Sequence, residues 1–221
     1  MEELMERYKE IKISEDLQGQ VVLDYKKDVT YISNNGEELH LQIIIPSATD
    51  ESVQKKYPCI LYLMSKVEEK KDLDRSIPRL TQLAKRGYVI ALMETPEEHS
   101  TYQKQLESCQ LAIKYLVENE SSYPISTQNL FILRDGNQEE QLDETMIKDK
   151  LLVPENQHDH KIRAIICLGG KDQMNVLEKK IDYVIPPVLM LSADSNKEDH
   201  PEFWTEEAID IMEDFLSSYI E

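Results

Sequence analysis

The sequence predicts an α/β fold with three layers, in which helices cover both faces of a mostly parallel sheet that opens with an antiparallel hairpin. Short apolar runs typical of buried parallel strands alternate with amphipathic segments along most of the chain. A turn signal, Asn34-Asn35-Gly36, separates two strand-like runs near the amino terminus. The 221 residues, 40% of them hydrophobic, are enough to bury one substantial core. We therefore expect a single domain over residues 1–221.

The amino-terminal elements are predicted to be a helical extension followed by the hairpin. The extension covers residues 1–19, with a polar helix over Met1–Ile13. Strands Gln20–Ser33 and Glu38–Ile45 lie on either side of the turn. Asn-Gly readily adopts the positive backbone angles of a tight hairpin, so these two strands should pair in antiparallel fashion.

The rest of the chain predicts alternating strands and helices. Five buried parallel strands are expected at Cys59–Leu63, Tyr88–Leu92, Leu130–Leu133, Ile162–Leu168 and Val188–Leu191. Amphipathic helices are expected at Ile77–Lys85, Tyr102–Asn119, Glu139–Val153, Gln173–Lys180 and Phe203–Ile220. Gly87 follows Lys85-Arg86, a pattern that ends a helix with basic residues and a left-handed glycine.

Charge limits the classes of partner. The chain has 43 acidic against 25 basic residues, a formal net charge of −18 that repels nucleic acid and anionic membrane surfaces. Residues Met1–Arg7 lack the basic and apolar regions of a secretory signal, and no apolar run approaches the roughly 20 residues of a membrane span. We expect a cytoplasmic protein with a small-molecule ligand or a protein partner, and the sequence leaves a homo-oligomer open.

The residues that could bind a metal do not form a site in the sequence. Cys59, Cys109 and Cys167 are far apart and each has apolar neighbours, which predicts reduced, buried thiols, with a catalytic cysteine as the alternative. His158-Asp159-His160 is expected to be a solvated loop, because two histidines at i and i+2 seldom converge without further ligands. The sequence thus predicts no metal and no cofactor.

Several runs resemble one enzyme family. Tyr57–Tyr62, Leu83–Ile90 and Asn129–Ile132 are similar to the strands and the helix-to-strand step of α/β-hydrolases of the small carboxylesterase group, which includes acetyl esterases and feruloyl-esterase-like proteins. The resemblance covers about Asp28–Gln138, and relative to that family the carboxyl-terminal part is shortened. It implies ester hydrolysis by a serine on a strained GxSxG turn, known as the nucleophile elbow.

The positions implied for the elbow do not carry that chemistry. Arg134, Asp135, Gly136, Asn137 and Gln138 occupy the five places, so a glycine stands where the resemblance implies the serine. The loop that would supply oxyanion-binding N–H groups falls on residues 64–67 and contains no glycine. The elbow is therefore predicted to be degenerate.

Other residues remain candidates for a displaced catalytic group. The resemblance places its acid near Asp194 and its histidine near His200, although both are also typical of a loop that leads into a helix. Ser65 and Ser192 follow predicted strands at the carboxyl edge of the sheet, where ligands bind in such folds. Two functions follow: a catalytically degenerate binding or interaction module (a pseudoenzyme), or a carboxylic-ester hydrolase with a relocated nucleophile.

Overall fold

The computed structural model describes residues 10–16, 19–32, 36, 38–47, 56–64, 70–94, 102–135, 161–169, 186–192 and 201–221. Over these ranges the chain forms one eight-stranded sheet, three α-helices and a short 3-10 helix. The strands are β1 Glu10–Asp16, β2 Gly19–Ile32, β3 Glu38–Ser47, β4 Tyr57–Met64, β5 Val89–Met93, β6 Ile125–Asp135, β7 Ile162–Gly169 and β8 Val188–Ser192. The helices are α1 Lys70–Lys85, α2 Tyr102–Glu118 and α3 Glu206–Ser217, with the 3-10 helix at Pro201–Trp204.

The sheet is mixed, with the strand order β1-β2-β3-β5-β4-β6-β7-β8. Strands β1, β2 and β3 pair in antiparallel fashion, and β3 is also antiparallel to β5. The other pairs in the sheet are parallel, and they join five strands: β5, β4, β6, β7 and β8. The predicted α/β class, with a largely parallel sheet and an antiparallel amino-terminal hairpin, is confirmed.

The predicted helix at the amino terminus is wrong over the part that the structure describes. Residues 10–16 form strand β1, in which Ile11 faces Leu23 and Ile13 faces Val21 across the antiparallel ladder with β2. Apolar and polar residues alternate here, which is the period of a strand with one buried face. The first nine residues of the predicted extension lie outside the described ranges.

Two glycines adopt the backbone conformation that their sequence contexts predict. Gly36, in the hairpin turn between β2 and β3, has a φ of +84°. Gly87 has a φ of +95°, and its N–H donates to the carbonyl of Ala84 at 3.0 Å, which closes the end of α1. Both angles lie in the left-handed region that glycine adopts at low steric cost.

Helices cover both faces of the sheet, as the parallel crossovers require. Helix α2 packs on one face, where Cys109, Ala112 and Leu116 are buried against Cys59, Leu61 and Ile132 of the sheet. Helices α1 and α3 share the opposite face, which buries Leu80, Leu83, Ile209, Met212 and Leu216. The sheet therefore lies between two apolar cores. The ends of its strands are the positions from which polar side chains can form a site.

The remaining helix predictions have different outcomes. Helix α1 begins at Lys70 rather than Ile77, and the segment predicted as Phe203–Ile220 forms the 3-10 helix and α3. Thr205 caps α3, since its hydroxyl accepts from the N–H of Ala208 at 3.3 Å. The helices predicted at 139–153 and 173–180 lie outside the described residues.

The three cysteines are free, buried thiols, as predicted, and all of them lie in the core on the α2 face of the sheet. Burial raises the pKa of Cys59, Cys109 and Cys167 to about 12. A thiolate is the reactive form of cysteine, so these side chains act as small apolar groups at neutral pH.

Candidate functional site at the carboxyl edge of the sheet

The strand order changes direction at β4, and the candidate site is the edge of the sheet next to this change. β4 is hydrogen-bonded to β5 on one side and to β6 on the other. The connection from β4 to β5 runs through α1, and that from β5 to β6 runs through α2, on the other face of the sheet. Such a reversal opens a crevice beyond the carboxyl ends of the strands, where ligands bind in folds of this kind.

The centre of this edge is the end of β6. Its last residue, Asp135, is still in register with Met64 of β4 and with Leu168 of β7. Gly136 is thus the first residue after the central strand, which is the position that the sequence predicts for the elbow. Gly136, Asn137 and Gln138 themselves lie outside the described residues, so the shape of the turn stays a prediction.

Asp135 is held by a tyrosine from the neighbouring strand. The hydroxyl of Tyr62 donates to Asp135 Oδ2 at 2.9 Å, and the same hydroxyl lies 3.4 Å from Ser76 Oγ on α1. Tyr62 is fully buried, and burial together with the charge of Asp135 raises its pKa well above the ordinary value. The hydroxyl therefore stays protonated and serves as a fixed donor under α1.

Arg134 lies on the opposite face of the same strand end. It is the one charged residue of the described ranges that is buried as a whole residue, with 7% of its surface exposed. It faces Cys167 of β7 in the register and lowers the pKa of that thiol, an effect smaller than the rise caused by burial. Consecutive residues of β6 thus place a cation on the α2 face and an anion on the α1 face.

A second polar group lies at the same edge, on the α1 face. Tyr25 donates to Gln42 Oε1, and Gln42 Nε2 donates to Glu94 Oε1 at 2.8 Å. Gln42 is fully buried and Glu94 is the first residue after β5, so this chain of hydrogen bonds runs from the sheet interior to its edge. Burial, and then the charges of Asp74, Asp28 and Glu94, raise the pKa of Tyr25 to about 12.

Ser192 is the one predicted nucleophile candidate that the structure describes. It is the last residue of β8, is exposed, and faces Gly169 at the end of β7. One strand separates β8 from β6, so Ser192 lies about 10 Å from the β6 end along the sheet. It reaches the expected edge but not the centre of the crevice.

The other predicted site residues are not placed. Ser65, Asp194 and His200 lie outside the described ranges, and their roles stay predictions. The histidine of the described ranges is His40 on β3, whose Nδ1 is 3.4 Å from Thr30 Oγ1. Within the same ranges, histidine, cysteine and carboxylate side chains form no cluster of three that could bind a metal.

Sequence reasoning missed the buried polar side chains Tyr62 and Gln42. A usable signal exists for Gln42, because it alternates with Leu41 and Ile43 in a strand and lies on the same face as the buried Ile44. A polar residue at an inward strand position predicts a buried hydrogen-bond partner. For Tyr62 no comparable signal exists, since its partner Asp135 is 73 residues away in the chain.

Comparison with known proteins assigns the fold. No protein-family model matches the sequence, and no curated protein matches it. The crystal structure of a proposed carboxylesterase from Lactobacillus plantarum WCFS1 superposes with a TM-score of 0.57 at 9% identity, over 87% of this chain and 83% of that chain. The chain has an α/β-hydrolase-like fold. At this identity the likeness concerns the fold alone.

Two other esterase structures match over shorter stretches. A fungal esterase from Rhizomucor miehei gives a TM-score of 0.49 at 19% identity, over 67% of this chain and 44% of that chain. Esterase Est22, solved with p-nitrophenol, gives a TM-score of 0.42 at 19% identity, over 52% of this chain and 35% of that chain. This chain thus spans about a third of the length of Est22.

The helices of the described part of the chain include none that is long and apolar enough to cross a membrane.

Proposed function

We propose that this protein uses an α/β-hydrolase-like scaffold to bind a small molecule or a protein partner at the carboxyl edge of its sheet, without acyl transfer through a serine. The observation that carries the proposal is the end of β6. The strand stays in register up to Asp135, and the next residue in the sequence is Gly136, which has no side chain to attack a carbonyl.

The residues before this glycine do not replace the missing hydroxyl. The Asp135 carboxylate accepts the hydroxyl of Tyr62, and Arg134 is buried on the other face of the strand. A guanidinium is always protonated and cannot attack a carbonyl carbon. The described end of β6 therefore offers polar groups suited to binding and positioning rather than a nucleophile paired with a base.

A second candidate function is a carboxylic-ester hydrolase with a relocated nucleophile. Two observations favour it: the fold matches that of a proposed carboxylesterase over most of both chains, and Ser192 is exposed at the carboxyl edge. Ser65, Asp194 and His200 would be the further residues of such a site. Fold alone does not establish the chemistry. The two proposals differ in whether the carboxyl edge hydrolyses an ester or only binds a ligand.

Hydrolysis of short p-nitrophenyl esters separates the two proposals. For a pure binding protein we expect no p-nitrophenol release above that of buffer, and the same background for Ser192→Ala and His200→Ala. A bound ester or its acid should still raise Tm, because a ligand that binds only the folded state stabilises it. Turnover that Ser192→Ala abolishes would instead establish Ser192 as the relocated nucleophile, and turnover that His200→Ala abolishes would establish His200 as part of the hydrolytic site.

A further inference from the structure

Strand β8 is the outer strand at the parallel end of the sheet. Within the described ranges it pairs with β7 alone and stands last in the strand order. The carbonyl of Pro187 accepts from the N–H of Ile165 at 2.9 Å, so every second residue from Pro187 directs its backbone groups toward β7. The N–H and C=O groups of Val188 and Met190 therefore point away from β7, in the direction from which a further strand would pair.

Strand β8 lacks the charges and prolines that commonly block an edge strand. Its five residues have the sequence VLMLS. The strand at the other end of the sheet, β1, has the sequence EIKISED, in which most residues are charged. Charged edges resist the addition of another strand. Of the two ends of the described sheet, β8 is therefore the one suited to pair with a further chain.

The side chains of β8 are apolar but only half-buried. In the interior strand β5, by contrast, all five residues are buried. Leu189 and Leu191 pack against the core on the α3 face of the sheet, and Val188 and Met190 pack against the core on the α2 face. A strand added beside β8 would remove from water part of the apolar surface that these side chains leave exposed, which is favourable.

Helix α3 lies over the part of the sheet next to β8. Helix α1 shares this face but contacts β2, β3 and β5, toward the other end of the sheet. Just beyond the end of α3, Glu221 contacts Asn129 of β6 and Arg163 of β7. Helix α3 thus crosses the strands that adjoin β8.

The outer surface of α3 combines an apolar side chain with acidic ones. Ile211 is a large apolar residue that is 44% exposed. Helical spacing places Glu207 one turn before it and Asp214 one turn after it, and both are exposed. We call Glu207, Ile211 and Asp214 the α3 rim. Two carboxylates on a chain with a net charge of −18 make this side of the molecule attractive to a cation.

We propose that β8 binds an extended basic segment of a partner protein, which adds to the sheet as a further strand and turns lysine or arginine side chains toward the α3 rim. Backbone hydrogen bonds to Val188 and Met190 hold the segment, and its alternate apolar side chains cover the apolar surface of β8. Charge selects a basic segment over an acidic one. A second copy of this chain also carries a net charge of −18, so repulsion disfavours it at this edge. The proposal does not depend on whether the carboxyl edge hydrolyses an ester.

A fluorescent peptide of about eight residues that alternates lysine and valine tests this site by anisotropy. We expect saturable binding that is at least about tenfold tighter than that of two control peptides. One control replaces each lysine by glutamate, which removes the charge complementarity, and the other replaces each valine by serine, which removes the apolar side chains. Equal affinity for the lysine–valine and lysine–serine peptides would overturn the proposal, since net charge alone would then explain the binding.

Two variants locate the binding on the molecule. Met190→Pro removes an N–H that points away from β7, a place where edge strands tolerate proline, and should weaken binding of the lysine–valine peptide at least about fivefold. Asp214→Lys reverses a charge of the α3 rim without altering β8, so it tests the proposal even if Met190→Pro fails to fold. It should weaken binding about threefold or more. Glu38→Lys is the matched control, because it makes the same charge change at an exposed position of β3, and should leave the affinity unchanged.

Equal effects of Asp214→Lys and Glu38→Lys would contradict the proposal, and so would full affinity in a folded Met190→Pro protein. Sedimentation of the protein without peptide tests the other occupant of this edge. We expect no dimer that depends on Met190. A dimer that Met190→Pro dissociates would assign the β8 edge to a second copy of the chain and overturn the proposal.

Discussion

At the scale of single residues, the carboxyl edge is built from polar side chains placed on an apolar sheet. Tyr62 and Gln42 are both fully buried, and each has its hydrogen-bonding groups engaged by a side chain that reaches the edge. A buried polar group without a partner costs free energy, so these pairs fix the positions of Asp135 and Glu94. The sequence predicted the buried thiols, because each cysteine has apolar neighbours. It could not predict the tyrosine–aspartate pair, which the strand order alone brings together.

The buried thiols give a prediction for alkaline pH. Burial raises the pKa of the three cysteines from 9.0 to about 12. Above pH 9 the unfolded chain therefore loses protons that the folded chain keeps, and the free energy of unfolding falls as the pH rises. Between pH 9 and pH 10 we expect a loss of about 1 kcal/mol for each thiol.

Urea unfolding at pH 8, 9 and 10 under a reducing agent measures this loss. Replacing Cys59 by Val keeps an apolar side chain of similar volume and removes the titrating group. The decline with pH should be shallower in Cys59→Val than in the parent protein. Identical slopes in the two proteins would show that Cys59 ionises without unfolding.

At the scale of elements, local pattern predicted the buried strands well. The predicted Cys59–Leu63 lies within β4, and the predicted Leu130–Leu133 lies within β6. Local pattern failed at the amino terminus: a polar helix is predicted over Met1–Ile13, but residues 10–16 form strand β1. Helix α1 begins at Lys70, before the predicted Ile77, and Pro78 lies in its interior although proline is typical of a first helical turn.

Arg86 connects helices α1 and α3 by ion pairs. It follows the end of α1, and its guanidinium contacts three acidic side chains of α3. Its side chain is 21% exposed, and it lies 3.1 Å from Glu206 and 2.5 Å from Asp210. Arg86→Ala should lower the free energy of unfolding by about 1 kcal/mol, because one cation serves several carboxylates. Arg86→Lys should recover only part of this, since an ammonium lacks the planar fork of a guanidinium.

Lys114→Ala is the matched control for this link. Lys114 and Glu118 form an exposed i,i+4 pair on α2, at 3.8 Å, with more than half of each side chain in solvent. Its removal should change the free energy of unfolding by less than about 0.5 kcal/mol. If urea unfolding gives equal losses for Arg86→Ala and Lys114→Ala, the bridge to α3 does not contribute as argued.

At the scale of the whole molecule, the chain has an α/β-hydrolase-like fold, and in its sequence a glycine, Gly136, follows the strand at the centre of the carboxyl edge. The alternation of strands and helices predicted the layers, because parallel strands require crossovers over the sheet. The strand order and the packing of α1 over Tyr62 depend on contacts between distant parts of the chain, and these could not be predicted from local pattern.

The most direct test of this account is the intact mass of the protein after incubation with a fluorophosphonate, which reacts with activated serines. A serine esterase of known activity, treated in parallel, should gain one adduct per chain. For this protein we predict an unchanged mass, because Gly136 has no hydroxyl to form the adduct. A stoichiometric adduct that peptide mapping assigns to Ser65, Ser192 or any other serine would contradict the account.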